Sequence, residues 1–127
     1  MPVLINLFEV EPADDDAFVA GWTRARGFLD ERTGGVPTAL HRALSDAEFR
    51  FVNIAQIPAP GPSRAAIMSP EFPGRQMPGR PHPALYEVER EHGDAAAAEV
   101  VLINAFEVPP GEDDDFVAGW QRAADRI

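Results

Sequence analysis

The chain has 127 residues, 45% of them hydrophobic, a formal net charge of −10 and no cysteine. That length and apolar content suit one domain with its own core and argue against a disordered chain. The acidity and the scatter of its 11 basic residues, all arginine, exclude a phosphate-gripping surface. The missing cysteine and lysine exclude disulfides, thiolate nucleophiles, Schiff bases and the lysine of a phosphate-binding loop.

Residues 3–10 (VLINLFEV) alternate as a strand. One face would carry Val3, Ile5 and Leu7, the other Leu4, Asn6, Phe8 and Val10. Both faces are largely apolar, so both should be covered. Glu11-Pro12 breaks the strand. Asp14 to Asp16 open a helix, where acidic side chains meet free N–H groups and the positive end of the dipole. Phe18, Trp22, Ala25 and Leu29 follow at helical spacing with Val19 beside them, a core stripe of about four turns. Trp22 reads as packing this helix on the sheet, and Gly34-Gly35 ends it.

Residues 36–44 (VPTALHRAL) and 49–57 (FRFVNIAQI) read as the second and third strands, a hairpin joined by Ser45 to Glu48. On the third strand Phe49, Phe51, Asn53, Ala55 and Ile57 share a face. Pro58 to Pro62 is a breaker run, and Ser63 to Met68 a short helix capped by Ser63. Residues 69–83 hold five prolines and two glycines, a loop long enough to be functional or mobile. His82 to Arg90 is the fourth strand, with Ala84, Tyr86 and Val88 on one side. His92 to Glu99, with its run of alanines, is a linker with room for a helical turn.

The chain then repeats itself. Aligning Val101 with Val3 without a gap gives 17 identities over 27 positions, including FVAGW around Trp22 and Trp120. The reading is a domain over residues 1–98 and a partial second copy, strand plus helix, over 99–127. A lone strand and helix cannot bury their own apolar faces. Residues 101–108 are therefore expected to form a strand and Phe116 and Trp120 to be buried, either on the body of the chain or swapped onto a second copy.

The order β-α-β-β-α-β predicts an α+β, ferredoxin-like fold, a four-stranded antiparallel sheet with both helices on one face. The face holding Leu4, Phe8, Phe49, Phe51 and Ile57 is expected to be the helix-free one. It is too apolar to leave in water, so it should meet a second sheet, most simply in a homodimer or higher homo-oligomer that closes a dimeric α/β barrel. No apolar run nears the roughly 20 residues of a membrane span, and residues 1–10 lack a basic leader segment. A soluble, cytoplasmic chain without nucleic-acid or membrane partners is the expectation.

FRFVNIAQ on the third strand, TALHRAL on the second, HPALYEV on the fourth and the INxFEV–acidic–FxAGW opening together resemble the antibiotic biosynthesis monooxygenase family of dimeric α/β barrels. The resemblance spans the whole chain and is nearest to bacterial members with two such domains in tandem. It implies oxygenation of an aromatic polyketide phenol or anthrone by O₂ without flavin, haem or metal, the substrate supplying the electrons. It also implies an asparagine and a tryptophan four residues apart on the third strand, facing the pocket. This chain has the asparagine, Asn53; the tryptophan position is Ile57.

Asn53, set among phenylalanines on a face expected to be enclosed, is the candidate catalytic contact to a substrate oxygen, because a buried amide needs a partner. His41 is the candidate base, with an unperturbed pKa near neutrality. Asn6, Phe8, Phe51, Ile57, Tyr86 (the lone tyrosine) and Arg42 are candidate substrate contacts, and His82 is a secondary one. No carboxylate pair or histidine cluster has the spacing of a metal site. Two other readings use the same cavity: a polyketide cyclase or isomerase, which needs a base but no O₂, and a non-catalytic binding or assembly domain.

Overall fold

Strands form here where β-branched and aromatic runs find antiparallel partners. In a computed structural model that describes residues 2–58, 60–93 and 100–126, β1 (Val3–Glu9), β2 (Thr38–Arg42), β3 (Phe51–Gln56) and β4 (Arg80–Tyr86) make one sheet in the order β2-β3-β1-β4. Every neighbouring pair is antiparallel. With α1 (Asp15–Thr33) between β1 and β2 and α2 (Pro60–Met68) between β3 and β4, the ferredoxin-like order is complete. By contact the chain divides into two units, Met1–Val88 and Glu89–Ile127. The expected boundary after residue 98, and the helical turn in the alanine linker, lie outside the described residues.

In the first unit, α1 begins behind a short 3₁₀ turn at Pro12–Asp14 and carries Asp15 and Asp16 in its first turn, where the free N–H groups favour them. It stops at Gly34, whose φ of 78° is the left-handed conformation that ends many helices and whose N–H donates to the Asp30 carbonyl at 3.0 Å. Phe18, Gly21 and Ala25 are buried, with Val19 and Trp22 beside them. At Gly21 a Cβ would come within 2.8 Å of the Met77 side chain, so the glycine lets the helix and the loop approach. Arg26 ties the far half of α1 to β2, donating to Thr38 Oγ1 at 2.5 Å and to the Val36 carbonyl.

The core reverses the expected faces. Phe18 of α1 lies edge-on to Phe8 at 4.8 Å and stacked on Phe51 at 4.4 Å between ring centroids. Phe8, Phe51 and Ile57 are all buried, and they lie on the helix side, not on a bare face awaiting a second sheet. The side of the sheet opposite α1 carries Val3, Ile5, Leu7, Val52 and Ile54 by strand alternation. Both faces of β1 read as apolar, and the choice fell to the side where aromatic rings could mesh with Phe18.

Element ends depart from expectation around the prolines. The second helix starts at Pro60, three residues before Ser63, because a proline in the first turn gives up no intrahelical bond. Strand β4 includes Pro81 and Pro83 and stops at Tyr86 rather than reaching Arg90. It is an edge strand, exposed along its length, where proline is tolerated because no ladder partner needs its missing N–H. The hairpin strands are shorter than expected at both ends. Residues 69–79 are pinned: Arg75 donates to the carbonyls of Ser69 and Ile67 at 2.8 and 2.7 Å, and Phe28 of α1 meets Phe72 at 5.8 Å.

In the second unit the repeated helix forms as α3 (Asp113–Asp125), but residues 101–108 form no strand. Trp120 is 38% exposed and Phe106, 55% exposed, meets Phe116 at 4.7 Å. The expectation of a strand and a buried Trp120 is corrected for a physical reason. In the first copy β1 exists between β3 and β4, its two ladders, whereas among the described residues, 101–108 have no strand to pair with. No helix among the described residues is long and apolar enough to cross a membrane.

Candidate functional site

Asn53 stands at the middle of β3, opposite Asn6 on β1 and Leu40 on β2. It shares the helix side with Phe51, Ala55 and Ile57. Across this layer Trp22 of α1 donates its indole Nε1–H to Asn53 Oδ1 at 3.0 Å. An indole nitrogen is a donor only. The carboxamide oxygen therefore faces Trp22 and the NH₂ faces away.

Among the described residues the Asn53 NH₂ has no hydrogen-bond partner. No solvent-sealed side-chain nitrogen or oxygen there lacks one, so this NH₂ opens onto accessible space. Asn6 is used differently: its Oδ1 accepts the backbone N–H of His82 at 3.0 Å, fastening the proline-containing edge strand to β1. Around the two asparagines the layer is apolar, with Leu40, Val19 and Met77 packed on the phenylalanine cluster. Arg42 holds its guanidinium 5.2 Å from the Phe51 ring centroid.

The start of α1 is clamped by an ion pair to Arg50, the residue just before β3. Arg50 reaches Asp15 with Nε at 3.1 Å from Oδ1 and Nη2 at 2.6 Å from Oδ2. The hydrogen bond from Arg50 lowers the Asp15 pKa below its ordinary value; partial burial opposes this, and the charges of Arg50 and Arg42 add to the lowering. The same bond raises the Arg50 pKa. The clamp and the Phe18 packing together set where Trp22 points.

The expected site residues divide between the two faces. Asn53, Asn6, Phe8, Phe51, Ile57 and Arg42 share the helix side. His41 pairs with Val52 and so projects from the opposite face, as do Tyr86, which pairs with Val3, and His82, which pairs with Leu7. The His41 Nδ1 lies 3.2 Å from the carbonyl oxygen of Val52, its partner across the β2–β3 ladder. His82 Nε2 meets Glu9 at 2.6 Å. Phe8 and Phe51 are spent on the core with Phe18. Sequence reasoning read Trp22 as packing alone and missed its bond to Asn53; nothing local links residues 31 apart in the chain.

A separate open groove of about 740 Å³ lies at the end of β1, lined by Glu9, Glu11, Asp14, Asp46, Glu48 and Arg50 among others, and by none of the expected site residues. Among the described residues no group of three histidine, aspartate or glutamate side chains could hold a metal ion.

No family model and no curated protein sequence matches the chain. Solved structures do. One is a protein of Shewanella loihica PV-4 proposed to be a monooxygenase, 23% identical, with a TM-score of 0.57 over 71% of this chain and 95% of that one. Another is SnoaB, a cofactor-independent oxygenase from Streptomyces nogalater, 21% identical in a mutant form, with a TM-score of 0.57 over 73% of this chain and 97% of that one. A third is a proposed antibiotic biosynthesis monooxygenase from Nitrosomonas europaea, 14% identical, with a TM-score of 0.56 over 71% of this chain and all of that one. At these identities the likeness establishes the fold. Each of the three leaves more than a quarter of this chain unmatched.

Proposed function

We propose that this chain is a cofactor-independent monooxygenase that oxidises an electron-rich aromatic phenol of the anthrone type with O₂, in the layer between β3 and α1. The observation that carries the reading is the Asn53 carboxamide, an outward-facing N–H donor fixed in a wall of aromatic and aliphatic side chains. The solved oxygenases of the same fold support it.

The overall change is balanced by substrate and O₂ alone: an anthrone CH₂ and one O₂ give a quinone carbonyl and one water. The ring must first lose a proton, because the enolate or phenolate, not the neutral phenol, passes an electron to O₂. A donor held at the developing oxyanion stabilises that ionised form, and it acts more strongly where water is thinned. In this reading Asn53 supplies that donor and Arg42 adds positive charge at the rim. His41 is on the far face of the sheet, so it is not the base for this layer; this counts equally against a base-driven cyclase built on the same residues. The opposite face of the sheet, with Val3, Ile5, Leu7 and Ile54, is the surface we assign to a second copy of the chain, as a barrel-forming homodimer requires.

Oxygen uptake tests the reading. Purified protein treated with EDTA and free of flavin should consume one O₂ per 1,8-dihydroxyanthrone, well above the spontaneous rate. Uptake restored only by added flavin or metal, or none above background, would overturn it.

A further inference from the structure

Asparagine amides are poor fixed donors unless something holds them, because a half-turn about the last side-chain bond exchanges an acceptor for a donor at little cost. In this chain the holding group is visible. The Trp22 indole N–H meets Asn53 Oδ1 at 3.0 Å, and it could not meet the NH₂, since two donors do not pair. We propose that Trp22 is a positioning residue, whose indole N–H locks the Asn53 carboxamide with its NH₂ turned to the substrate, so that the site selects an oxygen that accepts (phenolate or carbonyl) over one that must donate. The inference rests on the oxygenase reading for its substrate and on the hydrogen bond for its geometry.

The lock is stiff because its base is stiff. Four residues before Trp22, Phe18 is fully buried between Phe8 and Phe51. Asp15, a turn earlier still, is held by Arg50 in a two-point pair. Both anchors tie α1 to β3 or to the residue just before it, and β3 carries Asn53. The donor and its holder are thus mounted on two elements that cannot shift independently, as a preorganised contact requires. A flipped carboxamide would turn its oxygen toward the substrate oxyanion and repel it, so losing the lock should cost rate in the oxidation step more than substrate binding.

The experiment is a double-mutant cycle on Trp22→Phe and Asn53→Ala, followed by O₂ uptake with 1,8-dihydroxyanthrone and by solvent exchange of the Trp22 indole N–H. Trp22→Phe keeps the ring and removes the N–H. It should lower kcat by about 10- to 100-fold, the scale of a misplaced catalytic contact, with KM changed less than about 3-fold. The double variant should be no slower than Asn53→Ala, because Trp22 acts only through Asn53. Trp22→His, which can offer a ring N–H again, should recover part of the rate. Additive losses, or Trp22→Phe at wild-type rate beside a slow Asn53→Ala, would overturn the lock and leave the oxygenase reading standing. No uptake by the wild-type protein would overturn the reading; the lock is then judged by the Trp22 indole N–H, whose exchange with solvent should speed up in Asn53→Ala if Asn53 holds it, and whose unchanged exchange rejects the lock. If Trp22→Phe fails to fold, benzothienylalanine incorporated in a Trp120→Phe background supplies an indole isostere without the N–H, and the same comparisons apply.

Discussion

On β2 it is Leu40, not His41, that pairs with Asn53; His41 faces Val52, one residue away. That offset of one puts the two polar residues of greatest chemical interest on opposite faces of the sheet. It separates a donor-based site from any base-based one.

The first prediction follows from this. His41→Ala should change anthrone oxidation by less than about 3-fold, while Asn53→Ala should lower it by about 100- to 1000-fold, the range for losing one oxyanion donor. Steady-state O₂ uptake with the two variants decides it. A large effect of His41→Ala would place chemistry on the face that carries no part of this site.

The Asp15–Arg50 clamp makes stability depend on acid. The Asp15 pKa is lowered from its ordinary 3.8 in the folded state, so the folded protein binds fewer protons there than the unfolded chain does. The contribution is fully present above the unfolded value and disappears as pH falls through the folded one. Asp15→Asn should therefore melt below wild type at pH 7, and the gap should shrink as pH drops from about 5 toward 3. A gap independent of pH would show that the carboxylate charge has no part in the clamp. Arg50 stays charged throughout and does not enter the window.

Phe18 is the one side chain that closes the aromatic cluster, and it is 0% exposed. Phe18→Ala should cost about 3–5 kcal/mol in urea unfolding, the range for emptying an aromatic site in a core. Leu102→Ala, at a residue 89% exposed, should fall within about 0.5 kcal/mol of wild type.

Hydrogen exchange offers a comparison inside one chain. VLIN at 3–6 and VLIN at 101–104 are identical, yet only the first has strands on either side. Amides of residues 3–8 should exchange slowly and those of residues 101–106 fast, with α3 between the two. Equal protection of both copies would mean that the second finds a sheet edge after all.

How much of this was legible in the chain depends on where the information sits. The α1 stripe of Phe18, Trp22 and Ala25 was legible because helical spacing and the Gly34 stop are local. The strand order followed from alternation and short polar turns. Which face of β1 would take the helix was not legible: Val3, Ile5 and Leu7 are as apolar as Leu4 and Phe8, and only the meshing of Phe8, Phe18 and Phe51 decides. Asn53 stood out as an amide among phenylalanines. Its partner did not, because Trp22 fits a packing stripe equally well and the pairing is made across 31 residues. The resemblance pointed to an indole on β3, where the chain has Ile57; the indole N–H that reaches Asn53 comes instead from α1. For residues 101–108 the sequence repeated a strand's side chains without its partners, and a strand is its pairing.

The central claim, that Asn53 presents a fixed donor to a substrate oxidised by O₂ alone, is tested most directly with labelled oxygen. Wild-type protein and Asn53→Ala would each be given 1,8-dihydroxyanthrone under ¹⁸O₂ with EDTA present, and the quinone analysed by mass spectrometry against a protein-free control. The account predicts one ¹⁸O atom in the new carbonyl, formed by the wild type far faster than in the control, with the excess rate falling about 100-fold or more in Asn53→Ala. Quinone formed at the control rate, oxygen drawn from water, or an undiminished rate in Asn53→Ala would contradict it.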